Sequence, residues 1–132
     1  MKTPPTDRKI LRLIHDKYYQ DFCDYSDQKP SRSCKIYVPI DCQEIAKDLS
    51  IDPDIIFGRL YYHLNKKYGY TNDDNTNVHL FSLKTGSDKH TVQFPLLSAV
   101  LSEKSLDETR FMWSLIMSAS AVTISLFSLL KG

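Results

Sequence analysis

Glu44-Ile45-Ala46-Lys47-Asp48-Leu49-Ser50-Ile51-Asp52-Pro53-Asp54-Ile55-Ile56 reads as two helices and the turn between them. Just before it, Asp41-Cys42-Gln43-Glu44 puts an acceptor at a cap and a Glu three residues on, a capping box that predicts a helix from Cys42 to about Leu49. Ser50-Ile51-Asp52 ends that helix. Asp52 followed by Pro53 is a cap with a first-turn proline, so a new helix should run through Ile55, Ile56, Leu60 and Leu64 to about Tyr68. The small Ala46 lets the two helices cross closely, and Ile51 plugs the corner between them.

Upstream, Ile10, Leu11, Leu13, Ile14, Tyr18 and Phe22 recur at helical spacing behind Thr6, a capping residue, which predicts a core helix to about Cys23. The polar, proline-bearing run 24–33 reads as a long loop before a short strand over 35–39. Downstream of Gly69, the polar run 71–77 precedes two strand candidates, 78–84 and 89–94. They are joined by Thr85-Gly86-Ser87-Asp88, a hairpin signal. Pro95 opens a short helix to about Lys104, and Ser105-Leu106-Asp107-Glu108 forms a second capping box.

Helix, strand, helix, tight turn, helix and hairpin is the order of a winged helix-turn-helix domain, so the expected fold class is α+β. The stretch from Glu44 to Ile56 resembles the helix-turn-helix pattern of bacterial winged-helix regulators, with Ile45, Ala46, Leu49, Ile51, Ile56 and Leu60 at the usual core positions. The resemblance spans about residues 7–94 and is to a superfamily. It implies a third helix in the DNA major groove and a hairpin wing on the backbone. The DNA-binding candidates it implies are Asp54, Ile55, Arg59, Tyr62 and Lys66, with Lys84 and Lys89 at the wing tip. Two features depart from that pattern: Asp52 and Asp54 bring negative charge to the end that should approach phosphates, and Ile55 and Gly58 offer no hydrogen bond to a base edge. A protein partner is therefore the alternative to DNA, marked by an apolar patch around Ile55 and Tyr62. A continuous basic face of Arg59, Lys66, Lys84 and Lys89 would mark DNA.

The segment 111–130 is twenty residues without a charge, roughly 30 Å as a helix, which equals a bilayer's hydrocarbon core. Arg110 and Lys131 bracket it and Trp113 takes an interfacial place, so a single C-terminal transmembrane helix is expected. The division is then a soluble domain over 1–104 and a helix over 105–132. Ser114, Ser118, Ala121, Ser125 and Ser128 form a small-residue stripe at steps of four and three, a seam for pairing two helices into a homodimer. Ser120 and Thr123 lie off it, which leaves open that Ser is merely frequent here. The polar N-terminus shows no signal peptide, so the expected location is a single-pass membrane protein, tail-anchored, with its N-terminal domain cytoplasmic.

Of the 132 residues 42% are apolar, the mean hydropathy is −0.34, and 17 Lys and Arg stand against 16 Asp and Glu. Without Lys131, the residues before the uncharged segment balance to zero, which disfavours strong non-specific binding to polyanions. Cys23, Cys34 and Cys42 have no metal or redox spacing and read as ordinary reduced thiols, with a Cys23–Cys34 pair as the alternative. Neither a phosphate loop, HExxH nor GxSxG occurs, and His15, His63, His79 and His90 do not converge by local spacing, so no enzyme, cofactor, metal or small-molecule substrate is expected. The functional expectation is a membrane-tethered winged-helix regulatory protein that binds DNA. Its alternatives are a membrane-anchored protein-interaction adaptor and a small membrane effector without nucleic-acid binding.

Overall fold

The computed structural model describes residues 3–103 and 112–118. α1 (Asp7–Cys23) begins where expected: Thr6 Oγ1 accepts from the Lys9 N–H at 3.2 Å. β1 (Tyr37–Pro39) is shorter than the predicted strand. α2 (Cys42–Leu49) is capped by Asp41, whose carboxylate accepts from the Gln43 N–H at 2.9 Å. The cap forms, on the N2 N–H, but the reciprocal capping box with Glu44 does not. The Asp41 N–H donates to the Tyr18 hydroxyl at 2.8 Å, so α1 supplies the acceptor that Glu44 was expected to give, and Glu44 lies 3.9 Å from Lys17.

α2 ends on Ser50 at φ 56, and the Ile51 N–H reaches back to the Ala46 carbonyl at 3.0 Å, the six-to-one bond of a Schellman turn. Such a left-handed residue is usually Gly. Ile51 is half-buried at this corner and Leu49 is half-buried beside it, while Ile45, Ala46, Ile56 and Leu60 are fully buried. α3 (Pro53–Gly58), capped by Asp52, passes into a π-helical segment (Arg59–Leu64) and a last α-turn, α4 (Asn65–Tyr68). Backbone angles stay helical through both junctions, so the three pieces form one third helix.

A small ribbon follows, β2 (Tyr70–Thr71) antiparallel to β3 (Asn77–Val78), closing the two ends of the polar run 71–77 and taking Val78 from the strand expected over 78–84. The main hairpin is β4 (Phe81–Thr85) and β5 (Asp88–Gln93). Its turn is two residues, not four: Thr85 pairs with Asp88, and Gly86 at φ 60 takes the first central position that a primed turn reserves for glycine. The phase is the expected one, with Lys84 facing Lys89. The three-stranded sheet has the order β1-β5-β4, all antiparallel. Residues 94–103 form a further helix, α5, starting at Phe94 one residue ahead of Pro95, with the Gln93 side chain accepting from the Leu96 N–H.

The chain divides into a compact unit, Met1–Leu101, and a second, Ser102–Gly132. The core of the first is built by Ile10, Leu11 and Ile14 of α1, Ile45 of α2, Ile56, Leu60 and Leu64 of the third helix, Phe81 and Val92 of the sheet and Leu97 of α5. Each such side chain contributes about 1.5–3 kcal/mol by leaving water. The α+β expectation holds for this unit.

The transmembrane part of the expected fold class does not. Among the described residues no helix is long and apolar enough to cross a membrane. Within the uncharged segment the described residues, 112–118, are helical. The membrane-spanning helix, the tail anchor and the single-pass membrane location are corrected accordingly. Ser114 and Ser118 lie on that described helical stretch. Ala121, Ser125, Ser128 and the capping box at 105–108 lie outside the described residues, so the pairing seam has no described structure.

Candidate interaction surface on the third helix and the hairpin

The third helix has two outward flanks of different chemistry. Arg59, His63 and Lys67, four residues apart in succession, turn towards the start of α1 and converge on one carboxylate, that of Asp7. Arg59 Nη2 and His63 Nε2 donate to its two oxygens, the latter at 3.1 Å, and Lys67 Nζ stands 3.6 Å away. Arg59 Nη1 also donates to the Pro5 carbonyl at 2.8 Å. The Asp7 side chain is 16% exposed and that of Arg59 23%, so this pair is largely withdrawn from water. Burial opposes ionisation of Asp7, but the hydrogen bonds from Arg59 and His63 and their positive charge outweigh it and hold the carboxyl below its ordinary range. The guanidinium nominated for DNA phosphates is thus engaged inside the domain.

The other flank faces the hairpin. Tyr61, Tyr62 and Lys66 from the helix and Leu83 and Lys84 from β4 line an open groove of about 640 Å³, with His79 and Phe81 also on its wall. Tyr62 is 71% exposed, Ile55 51% and Leu83 44%. Asn65 fixes the groove's depth: its Oδ1 accepts from the Leu80 and Phe81 N–H groups at 2.9 and 3.2 Å, tying helix to strand. Lys84 and Lys89 face each other across the ladder, both exposed. Lys66, Lys84 and Lys89 make no ion pair among the described residues.

Of the seven candidates, then, Tyr62, Lys66 and Lys84 share this groove, with Lys89 opposite Lys84. Ile55 lies exposed on the first turn of the helix. Asp54 lines a separate hollow with Asp41, Cys42, Phe57 and His90, and Arg59 belongs to the Asp7 cluster. Tyr61, Asn65, His79, Phe81, Ser82 and Leu83 are the members that sequence reasoning did not nominate. Tyr61 carried a signal, an aromatic next to the nominated Tyr62, whereas the roles of Asn65 and Leu83 depend on how strand and helix meet.

The histidines occupy different surroundings: His15 stacks on Phe94, His63 bonds Asp7, His79 lines the groove and His90, at φ 53, lies against Phe57 and Phe81. Among the described residues no group of three or more His, Cys, Asp or Glu side chains is arranged to hold a metal ion. The three cysteines are free thiols, and burial pushes the Cys42 thiol up to about 11. The chain matches no protein-family model, no curated protein and no solved structure.

Proposed function

We propose that this chain is a regulatory interaction domain of the winged-helix type that binds a protein partner through its third helix and hairpin. The winged-helix reading is supported by the order of elements from α1 to β5 and by a sheet in which the first strand pairs with the last of the hairpin. The observation that carries the choice of partner is the division of the third helix. Arg59 of its basic row is engaged by Asp7, with His63 and Lys67 half exposed beside it, while the face towards the hairpin and the first turn bear Ile55, Tyr61, Tyr62 and Lys66 in solvent. Tyrosines flanked by cationic side chains fit the make-up of protein-binding patches, where aromatic anchors supply most of the affinity. Asp52 and Asp54 at the leading end of the helix would meet a DNA backbone with like charge.

Peptide display on the full chain, counter-selected against Tyr62→Asp, tests the reading. Enrichment of peptides whose binding is lost in Tyr62→Asp and in Ile55→Asp supports it. Duplex DNA binding whose salt slope falls in Lys66→Ala and Lys84→Ala, with no peptide enriched, overturns it.

A further inference from the structure

We infer that the groove between the third helix and β4 receives a short acidic segment of the partner, its carboxylates drawn to Lys66 and Lys84 and one apolar side chain seated among Tyr61, Tyr62 and Leu83. This rests on the protein-binding reading above and names the partner's chemistry. Over the whole chain cations and carboxylates nearly balance, at 17 against 16. The hollows of the surface share them unevenly. One on α1 and α2 has Asp16 and Asp48 on its wall, and another between α2, α3 and β5 has Asp41 and Asp54. The groove has Lys66 and Lys84 on its wall and neither Asp nor Glu.

Nothing within the domain neutralises these two lysines. Neither makes an ion pair among the described residues, and Asp88, on the same hairpin, gives its carboxylate to the Ser33 N–H. Lys84 also stands opposite Lys89 in the ladder, where like charges repel. A carboxylate entering the groove offsets that repulsion. The Asn65 side chain adds no acceptor, because both lone pairs of Oδ1 are taken by the Leu80 and Phe81 N–H groups and only N–H donors remain on it. Charge complementarity therefore selects an acidic occupant. The rings favour a peptide over a nucleic acid. Successive bases need successive free ring faces, whereas Tyr61 is stacked on Phe57 at 5.6 Å and stands at 78° to Tyr62, so the two tyrosines offer no parallel platforms. A single apolar side chain needs only the ring edges and the exposed Leu83.

The probe is an acetylated, amidated hexapeptide with two Glu on each side of a Leu-Phe centre, titrated into the full chain and followed by chemical shifts. The same peptide with Gln for Glu, and oligothymidylate, are its controls. Expected are shifts at Tyr61, Tyr62 and Lys84, binding at least about tenfold weaker for the Gln peptide, and about tenfold weakening in Lys84→Glu, where attraction becomes repulsion. Lys89→Glu is the sharper variant, since Lys89 is not on the groove's wall but would give Lys84 a carboxylate across the ladder. It should slow amide exchange in β4 and β5 while weakening the probe about threefold or more, a combination that a merely structural role does not produce. Displayed peptides rich in Asp and Glu and lost in Lys84→Glu would support the inference equally. Equal binding of the Glu and Gln peptides, no loss in Lys84→Glu, or displayed peptides that need Tyr62 yet carry no acidic residue, would overturn the acidic occupant and leave the protein-binding face standing. A dimer of the chain that the probe disperses would make the occupant a second copy and overturn a separate partner. Silence of Tyr61, Tyr62 and Lys84 with no peptide enriched in display, or oligothymidylate binding tighter than the probe, would overturn both.

Discussion

Asp7→Ala removes the acceptor on which three cations of the third helix converge, and its effect can be worked out from the geometry. His63 and Lys67 are about half exposed, at 52% and 48%, and pairs of that kind contribute only tenths of a kcal/mol. The Arg59 bond is different, since both side chains are largely shielded, and a charge-assisted hydrogen bond in such a setting is worth about 1.5–3 kcal/mol. Arg59 keeps its bond to the Pro5 carbonyl, which places the loss at the lower end of that range. Asp7 also lies in the first turn of α1, where a carboxylate adds roughly 0.3–1 kcal/mol through the helix dipole. The sum is about 2–3 kcal/mol, within the usual 5–15 kcal/mol of a domain, so the variant should fold with a Tm lower by roughly 8–20 °C.

Urea unfolding of wild type, Asp7→Ala, Arg59→Ala and the double variant measures the coupling, expected to be at least about 1 kcal/mol. The pH dependence has a definite sign. Because the folded-state pKa of Asp7 lies below its ordinary value of 3.8, the unfolded chain takes up the proton first as acid is added. The contribution is therefore complete above pH 3.8 or so and is lost as pH falls through the lowered value. The gap between wild type and Asp7→Ala should close in that acid window. An Asp7→Ala variant within about 0.5 kcal/mol of wild type, the scatter of ordinary surface changes, or a gap unaltered by acid, would refute the clamp.

Tyr62→Asp should leave thermal stability within about 0.5 kcal/mol of wild type, because the side chain is mostly in solvent, while abolishing partner binding; a large loss of stability would mean that the ring is structural. Tyr18→Phe strips the acceptor from the Asp41 N–H and should lower stability by about 1 kcal/mol in urea melts, with an unchanged midpoint counting against the cross-helix cap. Gly86→Ala forces a side chain to φ 60 and brings its Cβ to 2.6 Å from Ser33 Oγ, so the hairpin should lose about 1–2 kcal/mol, read as faster amide exchange across β4 and β5. Cys42, pushed up to about 11, should be alkylated by iodoacetamide at pH 8 at least roughly tenfold more slowly than exposed Cys23, as followed by mass spectrometry.

What could be read from the sequence was local, and what could not was settled by residues far apart in the chain. The bounds of α1, α2 and the third helix follow from Thr6, Asp41, Asp52 and Pro53, each acting within three residues of itself. The hairpin phase follows from a short turn, although the turn residues were overcounted because Thr85 and Asp88 have turn-like chemistry yet pair with each other. Glu44 satisfied the local rule for a capping box, but Tyr18, twenty-three positions upstream of Asp41, took its place. The uncharged segment 111–130 met a criterion of length and polarity, whereas among the described residues no helix is long and apolar enough to cross a membrane. The candidate site divides along the same line. That Arg59 and Lys66 are both cations on the third helix is written in the sequence; that Arg59 is engaged and Lys66 is not depends on Asp7, fifty-two positions before Arg59. Charge is a property of a residue, whereas its availability to a partner is a property of the fold, and that availability is why the proposed docking face lies at the tyrosines beside β4 and not along the basic row.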